Sequence, residues 1–291
     1  MAKLAKVVIY GAGLIGGSFA LALKAAGAVD EVVGFGRRRE SLDKAQALGI
    51  IDRVGEDEAA ELANASLVLV ATPVAQMPAL FARIAPLIGA DTVVTDGGST
   101  KGDVVAAARA AFGAKVGQFV PAHPIAGTEH SGPEAAFPSL YRGKKVVVAA
   151  LPENSPTVVA RVREAWEACG SSVFELSPEM HDRVFAAVSH LPHLLSFALV
   201  HDLAVREDSE LYFTFAASGF RDFTRIAASH PEMWRDICLA NRAALLEEIT
   251  RYQQEIESLK NALLTHDGAQ LEEAFDLART ARRTWAQTQN T

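Results

Sequence analysis

The chain has 291 residues, 49% of them hydrophobic and 22% charged, an ordinary globular balance with room for one large domain or two smaller ones. Its formal charge of −7 argues against a generic nucleic-acid or polyanion binder, so no nucleic-acid partner is expected. Two cysteines, Cys169 and Cys238, exclude a disulfide framework and a Cys-rich metal centre, and they read as buried, reduced thiols.

At the N-terminus, "MAKLAKVVIYGAG" runs directly into a strand and a turn, without the apolar core and cleavage site of a signal peptide. No apolar run is expected to reach the roughly 18 residues of a membrane span, so the reading is a soluble cytoplasmic protein with no membrane partner. Up to about residue 176, short β-branched runs alternate with Ala-rich helical stretches. The candidate strands are 6–10, 31–35, 66–71, 92–96, 116–120, 144–150 and 172–176. Short apolar runs bounded by Gly, Asp or Pro suit strands buried on both faces, and their alternation with helices predicts an α/β domain with a doubly wound parallel sheet.

After "SPEMHD" (177–182) the strand signals stop, and an all-α C-terminal domain is expected over 177–291. Val184, Val188, Leu191, Leu195 and Ala198 follow helical spacing, which predicts one apolar face. Leu245, Ile249, Tyr252, Ile256, Leu259 and Leu263 continue that rhythm until "HDG" (266–268) supplies a stop. From the residues alone, this second stripe reads equally as packing within its own domain or as a seam between two subunits.

"VVIYGAGLIGGSFALAL" is a strand, then G-x-G-x-x-G at Gly11, Gly13 and Gly16, then a helix, the context of a Rossmann-type dinucleotide site. Gly11 permits the tight turn, Gly13 lets the backbone approach a pyrophosphate, and Gly16 lets helix and strand pack closely. The helix start, with Leu14 and Ile15, offers free N–H groups to the phosphates. Thr72 and Pro73, beyond strand 66–71, are assigned to the same cofactor. At the end of the second strand, where NAD enzymes carry an acidic side chain, stands Gly36, followed by Arg37, Arg38 and Arg39. Arg37 and Arg38 suit a 2′-phosphate, which makes NADP the preferred cofactor and NAD the second choice. Arg39 with Glu40 reads as a plain basic turn.

Ligands in such sheets lie beyond the C-terminal strand ends. "TDGGSTK" (95–101) and "VPAHPIAGTEHSG" (120–132) occupy two of them. Ser99 and Lys101 need be no more than a helix cap and a surface cation. His123, just past a strand, is placed to accept a hydroxyl proton near a nicotinamide. In "SHLPHLLSF", His190 and His193 stand three apart, and Pro192 predicts a kink or a helix start. No third ligand accompanies them, so no metal site is expected. Arg221 reads as a structural partner of a carboxylate, and Arg225 as a binder of a substrate carboxylate.

Together "VVIYGAGLIGGSFALAL", "TDGGSTK", "HPIAGTEHSGPEAA", "SHLPHLLSFAL" and "GFRDFTRIAASHPEMWRDI" resemble the prephenate/arogenate (cyclohexadienyl) dehydrogenase family, in the family's order and over nearly the whole chain. The resemblance implies oxidative decarboxylation of arogenate or prephenate, giving tyrosine or 4-hydroxyphenylpyruvate, in tyrosine biosynthesis. It implies that His123 takes the ring-hydroxyl proton, that Ser99 orients it, and that His193 and Arg225 bind substrate. Thr128, Glu129 and His190 are implied in supporting or gating roles at the substrate. It further implies a homodimer through the C-terminal helices. With no further domain expected at either end, feedback by tyrosine would act at the active site. The rival readings are an NADP-dependent reductase of the β-hydroxyacid or imine type, which would rely on a lysine in the helical half, and an NADP-binding sensor without turnover.

Overall fold

The computed structural model describes residues 3–128 and 130–288, in two compact units, 1–242 and 243–291. The expected Glu129 contribution lies outside the described residues. In the first unit, a six-stranded parallel sheet has the order β3-β2-β1-β4-β5-β6. Its strands are β1 (Leu4–Tyr10), β2 (Val29–Phe35), β3 (Arg53–Val54), β4 (Leu67–Val70), β5 (Val93–Asp96) and β6 (Phe119–Val120). The order turns back at β1 and β4, the reversal of direction at which doubly wound sheets bind ligands.

Alternation along the strands divides the apolar residues between two cores. Val7 and Ile9 of β1 join Leu67, Leu69, Phe19 and Trp166 on one face. Val8 and Tyr10 join Val68, Val70, Phe81 and Ile84 on the other. A strand covered on both sides can therefore read as a continuous apolar run, as "LVLV" does in β4. The flanking helices are α1 (Leu14–Ala25), α2 (Arg39–Ala47), α3 (Glu58–Ala63), α4 (Met77–Ile84), α5 (Gly102–Phe112) and α6 (Pro156–Ala168).

Two expectations change here. The run 116–120 is helical up to Gln118 and contributes only the two residues of β6. The runs 144–150 and 172–176 do not extend the parallel sheet. They form a separate three-stranded sheet from β7 (Ala122–Pro124), β8 (Lys145–Val148) and β9 (Ser172–Glu175), with β7 antiparallel to β8. Pro121 precedes β7 and Pro124 is its last residue, and a proline cannot donate to a ladder, so this segment gave no strand signal in the sequence.

The remaining helices of the first unit are α7 (Pro178–Phe185), α8 (Leu191–Ala204), α9 (Ser209–Phe215), α10 (Ser218–Thr224) and α11 (Pro231–Ala240). The second unit is helical, with α12 (Arg242–Leu264) running into it and α13 (Gly268–Thr288) following. α12 stops at the predicted place: His266 takes a positive φ, and Asp267 accepts from the Gln270 N–H at 2.9 Å. Residues 178–204 do reach the length and hydropathy of a membrane span, with a mean hydropathy of 1.4 over one window, against the expectation that no run would.

Candidate active site

The glycine turn has the shape its sequence implies. Gly11 takes φ +93°, and a Cβ there would stand 2.6 Å from the Ala71 carbonyl oxygen. A Cβ on Gly16 would stand 2.2 Å from the Gly11 carbonyl oxygen, so only glycine lets α1 approach β1 this closely. At Gly13 the nearest atom to an added Cβ is the Gly132 nitrogen, 4.0 Å away, which leaves an open cradle. The N-cap of α1 is Gly13, which has no side chain to accept from the first turn, so among the described residues the N–H groups of that turn have no side-chain partner. The Tyr141 hydroxyl holds this turn by donating to the Ile15 carbonyl at 2.6 Å. At the end of β4, the Thr72 hydroxyl is buried without a partner among the described residues, beside exposed Pro73. Open cradle, free N–H groups and orphaned hydroxyl together fit a dinucleotide.

Beyond β2, Gly36 is exposed, and a Cβ there would make only ordinary contact with Leu42 at 3.4 Å. Glycine is thus not forced by lack of space, and its effect is to leave out an acidic group. Arg39 is tied to Asp43 at 2.7 Å, as a basic turn would be. Arg37 and Arg38 are exposed and make no ion pair among the described residues.

The second half of the site is built between β5, β7 and α7. A Cβ on Gly97 would meet Ile15 at 3.1 Å and Pro124 at 3.8 Å, so the glycine turn, the β5 loop and the His123 strand lie against one another. Lys101 is wholly buried rather than a surface cation. Its ammonium donates to Asp96 at 2.5 Å, and Asp96 also accepts from the Gly98 and Ala122 N–H groups. The pair locks the loop that carries Ser99, whose partly exposed hydroxyl takes no partner among the described residues.

His123 is partly exposed, and its Nδ1 lies 2.8 Å from Nε2 of the fully buried His181. His181 Nδ1 in turn lies 2.8 Å from Asp182 Oδ1. Asp182 accepts further bonds from the Lys101 and Gly102 N–H groups, each 2.8 Å. Burial pushes the Asp182 carboxyl up, but these bonds outweigh it and hold the group below the usual carboxylate range. Burial pushes His123 well below an ordinary histidine, and the His181, Lys101 and His190 charges push the same way. Phe185 packs on both rings, with centroids 4.9 Å from His123 and 4.4 Å from His181.

His190 is 1% exposed, and its Nδ1 lies 3.0 Å from the Asn241 amide nitrogen, which also donates to the Asp182 carbonyl at 2.8 Å. Burial holds its pKa down to about 4, with the Asp182 charge and the Ser99 main chain among the opposing influences. His190 therefore joins the Ser99 loop to the helices from a buried position. Three residues on, His193 donates from Nδ1 to the Ser189 carbonyl at 2.9 Å and stacks on Trp234 at 3.5 Å, leaving Nε2 free. Burial, and then the nearby Arg225 charge, keep His193 below an ordinary histidine, against the pull of the Ser189 carbonyl. Arg225 is exposed and without an ion pair among the described residues, whereas Arg221 has only a loose surface pair with Asp222 at 3.8 Å. Thr128 is exposed and accepts from the His130 N–H at 3.3 Å.

The residues 186–190 form a π turn between α7 and α8, with Pro192 in the first turn of α8. This turn breaks the apolar register predicted over 184–198: Leu191 is buried as expected, but Val188 is 66% exposed and Ala198 is exposed, while His190 and Ser196 are buried. His181, Asp182, Trp234 and Asn241 escaped the sequence reading. The only available signal was a titratable "HD" pair one turn into a Ser-Pro-capped helix.

Family models for the prephenate dehydrogenase nucleotide-binding domain and dimerization domain match residues 19–175 and 177–277. A cyclohexadienyl dehydrogenase of Zymomonas mobilis is 34% identical over 279 residues, covering 95% of this chain and 94% of its own. The crystal structure of prephenate dehydrogenase from A. aeolicus, in complex with hydroxyphenyl propionate and NAD+, superposes with a TM-score of 0.90 at 35% identity, covering 96% and 98% of the two chains. Synechocystis arogenate dehydrogenase superposes with a TM-score of 0.83 at 26% identity, covering 96% and 99%. With both domain models matched in order and the fold shared at this level, the chain belongs to the prephenate dehydrogenase family.

Proposed function

We propose that this enzyme oxidatively decarboxylates arogenate, prephenate or both, with NADP preferred over NAD. The observation that carries the reaction is the His123–His181–Asp182 chain of 2.8 Å contacts, which leaves a partly exposed imidazole nitrogen ready to take a hydroxyl proton. Gly11, Gly13, Leu14, Ile15, Gly16, Thr72 and Pro73 would hold the cofactor, which when bound would supply the acceptor for the hydride that leaves ring C4. His123 takes the proton of the 4-hydroxyl, and Ser99 orients that hydroxyl. Arg225 and the second ring nitrogen of His193 hold substrate polar groups, with Thr128 in a supporting role at the substrate. The ring carboxylate leaves as CO2, its bonding electrons complete the aromatic ring, and the proton on His123 returns to the phenolate. Aromatisation drives the reaction, so orientation and one base suffice.

The cofactor preference rests on Gly36 with the unpaired Arg37 and Arg38, a cationic pair suited to a 2′-phosphate. The exposed Tyr252, Ile256 and Leu263 of α12 support a homodimer through the C-terminal helices, and the reading places the enzyme in the cytoplasm. Tyrosine, the product or a near analogue of it, would compete at the same pocket. The test is kcat/KM for each substrate with each cofactor, followed by absorbance of the reduced nicotinamide. Turnover of at least one cyclohexadienyl acid, faster with NADP, is expected. No turnover of either acid would overturn the reading.

A further inference from the structure

In the reaction as written above only His123 of the His123–His181–Asp182 chain handles a proton, and what the two residues behind it do is left unassigned. Asp182 accepts from two backbone N–H groups, so its carboxylate must also accept from His181, whose Nδ1 therefore carries the proton. A neutral His181 then presents a lone pair at Nε2, and His123 must donate to it from Nδ1. The lone pair of His123 is left at Nε2, on the part of the ring the protein does not enclose.

We propose that His181 and Asp182 are positioning residues that fix His123 as its Nδ1–H tautomer and house the positive charge that forms when it acts as base. As an N–H bond forms at His123 Nε2, the Nδ1–H bond breaks and its proton moves to His181 Nε2, which becomes an imidazolium against Asp182. The transfer reverses when the proton returns to the phenolate, so no net proton is gained or lost. The charged neighbours favour this placement. The buried Lys101 ammonium opposes a cation on either ring, and His190 adds to that at His123, but only His181 is hydrogen-bonded to the Asp182 carboxylate, with the Asp96 charge also favouring a cation there. Phe185 covers both rings and keeps water from competing for the inner hydrogen bonds.

This inference rests on the base role of His123, so its tests separate the two. In the intact wild-type enzyme without substrate, selective 15N-imidazole labelling at pH 8 reads tautomers directly. Nδ1–H at His123 and at His181 is expected, and Nε2–H at either overturns the relay even if turnover is normal. The second test is His181→Gln, whose amide oxygen can still accept from His123 but cannot be protonated. Its kcat is expected to fall about tenfold or more, with the acid limb of kcat/KM moving to lower pH and KM for the cofactor unchanged. Wild-type kcat with an unmoved acid limb, or a loss in kcat with no movement of that limb, would show that His181 only fills space. Absence of turnover in the wild type would instead sink the reaction assignment.

Discussion

Arginines 37 and 38 show how far single residues carry a functional argument. Both are exposed, neither makes an ion pair among the described residues, and the adjacent Gly36 has space for a side chain it does not possess. The absence of an acidic group is therefore a chemical choice and not a steric necessity. Charge-assisted hydrogen bonds contribute about 1.5–3 kcal/mol each, roughly a ten- to hundredfold effect on binding. Replacing both arginines by Gln is expected to raise KM for NADP at least tenfold and KM for NAD less than about twofold, measured by initial rates. Equal effects on the two cofactors would return the stretch to being a basic turn. His123 and Arg225 could be singled out from their residue types and places in the chain, whereas Ser99 and His193 took their proposed roles from the family resemblance. Lys101 could not be singled out, because a lysine in a loop ordinarily reads as solvated, and only the tertiary packing shows it buried against Asp96.

At the scale of elements, the glycine turn and the π turn do opposite things to the sequence pattern. The glycine turn was readable because its constraint is local: φ +93° at Gly11 and the contact of Gly16 with the preceding turn arise within six residues. Gly16→Ala would place a Cβ 2.2 Å from the Gly11 carbonyl oxygen and 2.9 Å from Ile9, which α1 can relieve only by moving off β1. The expected result is a loss of about 1–3 kcal/mol in unfolding free energy together with weakened cofactor binding, measured by denaturation and by titration calorimetry. Unchanged affinity would show that the phosphate cradle does not depend on that close approach. The π turn at 186–190 hid itself, because a 3.6-residue rhythm continued through it with the wrong residues inward. One widened turn brings His190 into the interior and leaves Val188 in solvent. The strand β7 was likewise invisible, since three residues that follow one proline and end on another carry no alternation to detect.

For the molecule as a whole, the site imposes a dependence on pH. His123, His181 and His190 are held neutral by burial, the last down to about 4. Their folded-state values lie below the unfolded value of about 6.5, so the unfolded chain binds more protons in between. Stability is complete above about pH 6.5 and is lost as pH falls through this window. The Asp182 carboxyl, also held low, adds its own loss further into acid. Denaturant midpoints at fixed protein concentration are expected to fall continuously from pH 7 to 5, and a flat profile would contradict three histidines held neutral in the folded state.

The sequence by itself determined the alternation that builds the parallel sheet, the dinucleotide turn, the change to helices after residue 176 and the family the motifs resemble. Each of these is written in neighbouring residues, as spacing, capping or glycine placement. Only the tertiary structure decided which imidazole nitrogen of His123 faces His181, why Lys101 has no access to water, and that two of the expected strands join β7 in a separate sheet. The physical reason is distance along the chain: His123 meets His181 across 58 residues, and Asp182 meets Lys101 across 81. Hydrogen bonds of that reach leave no periodicity in the sequence, and they exist only once the sheet and the helix that carry them have packed together.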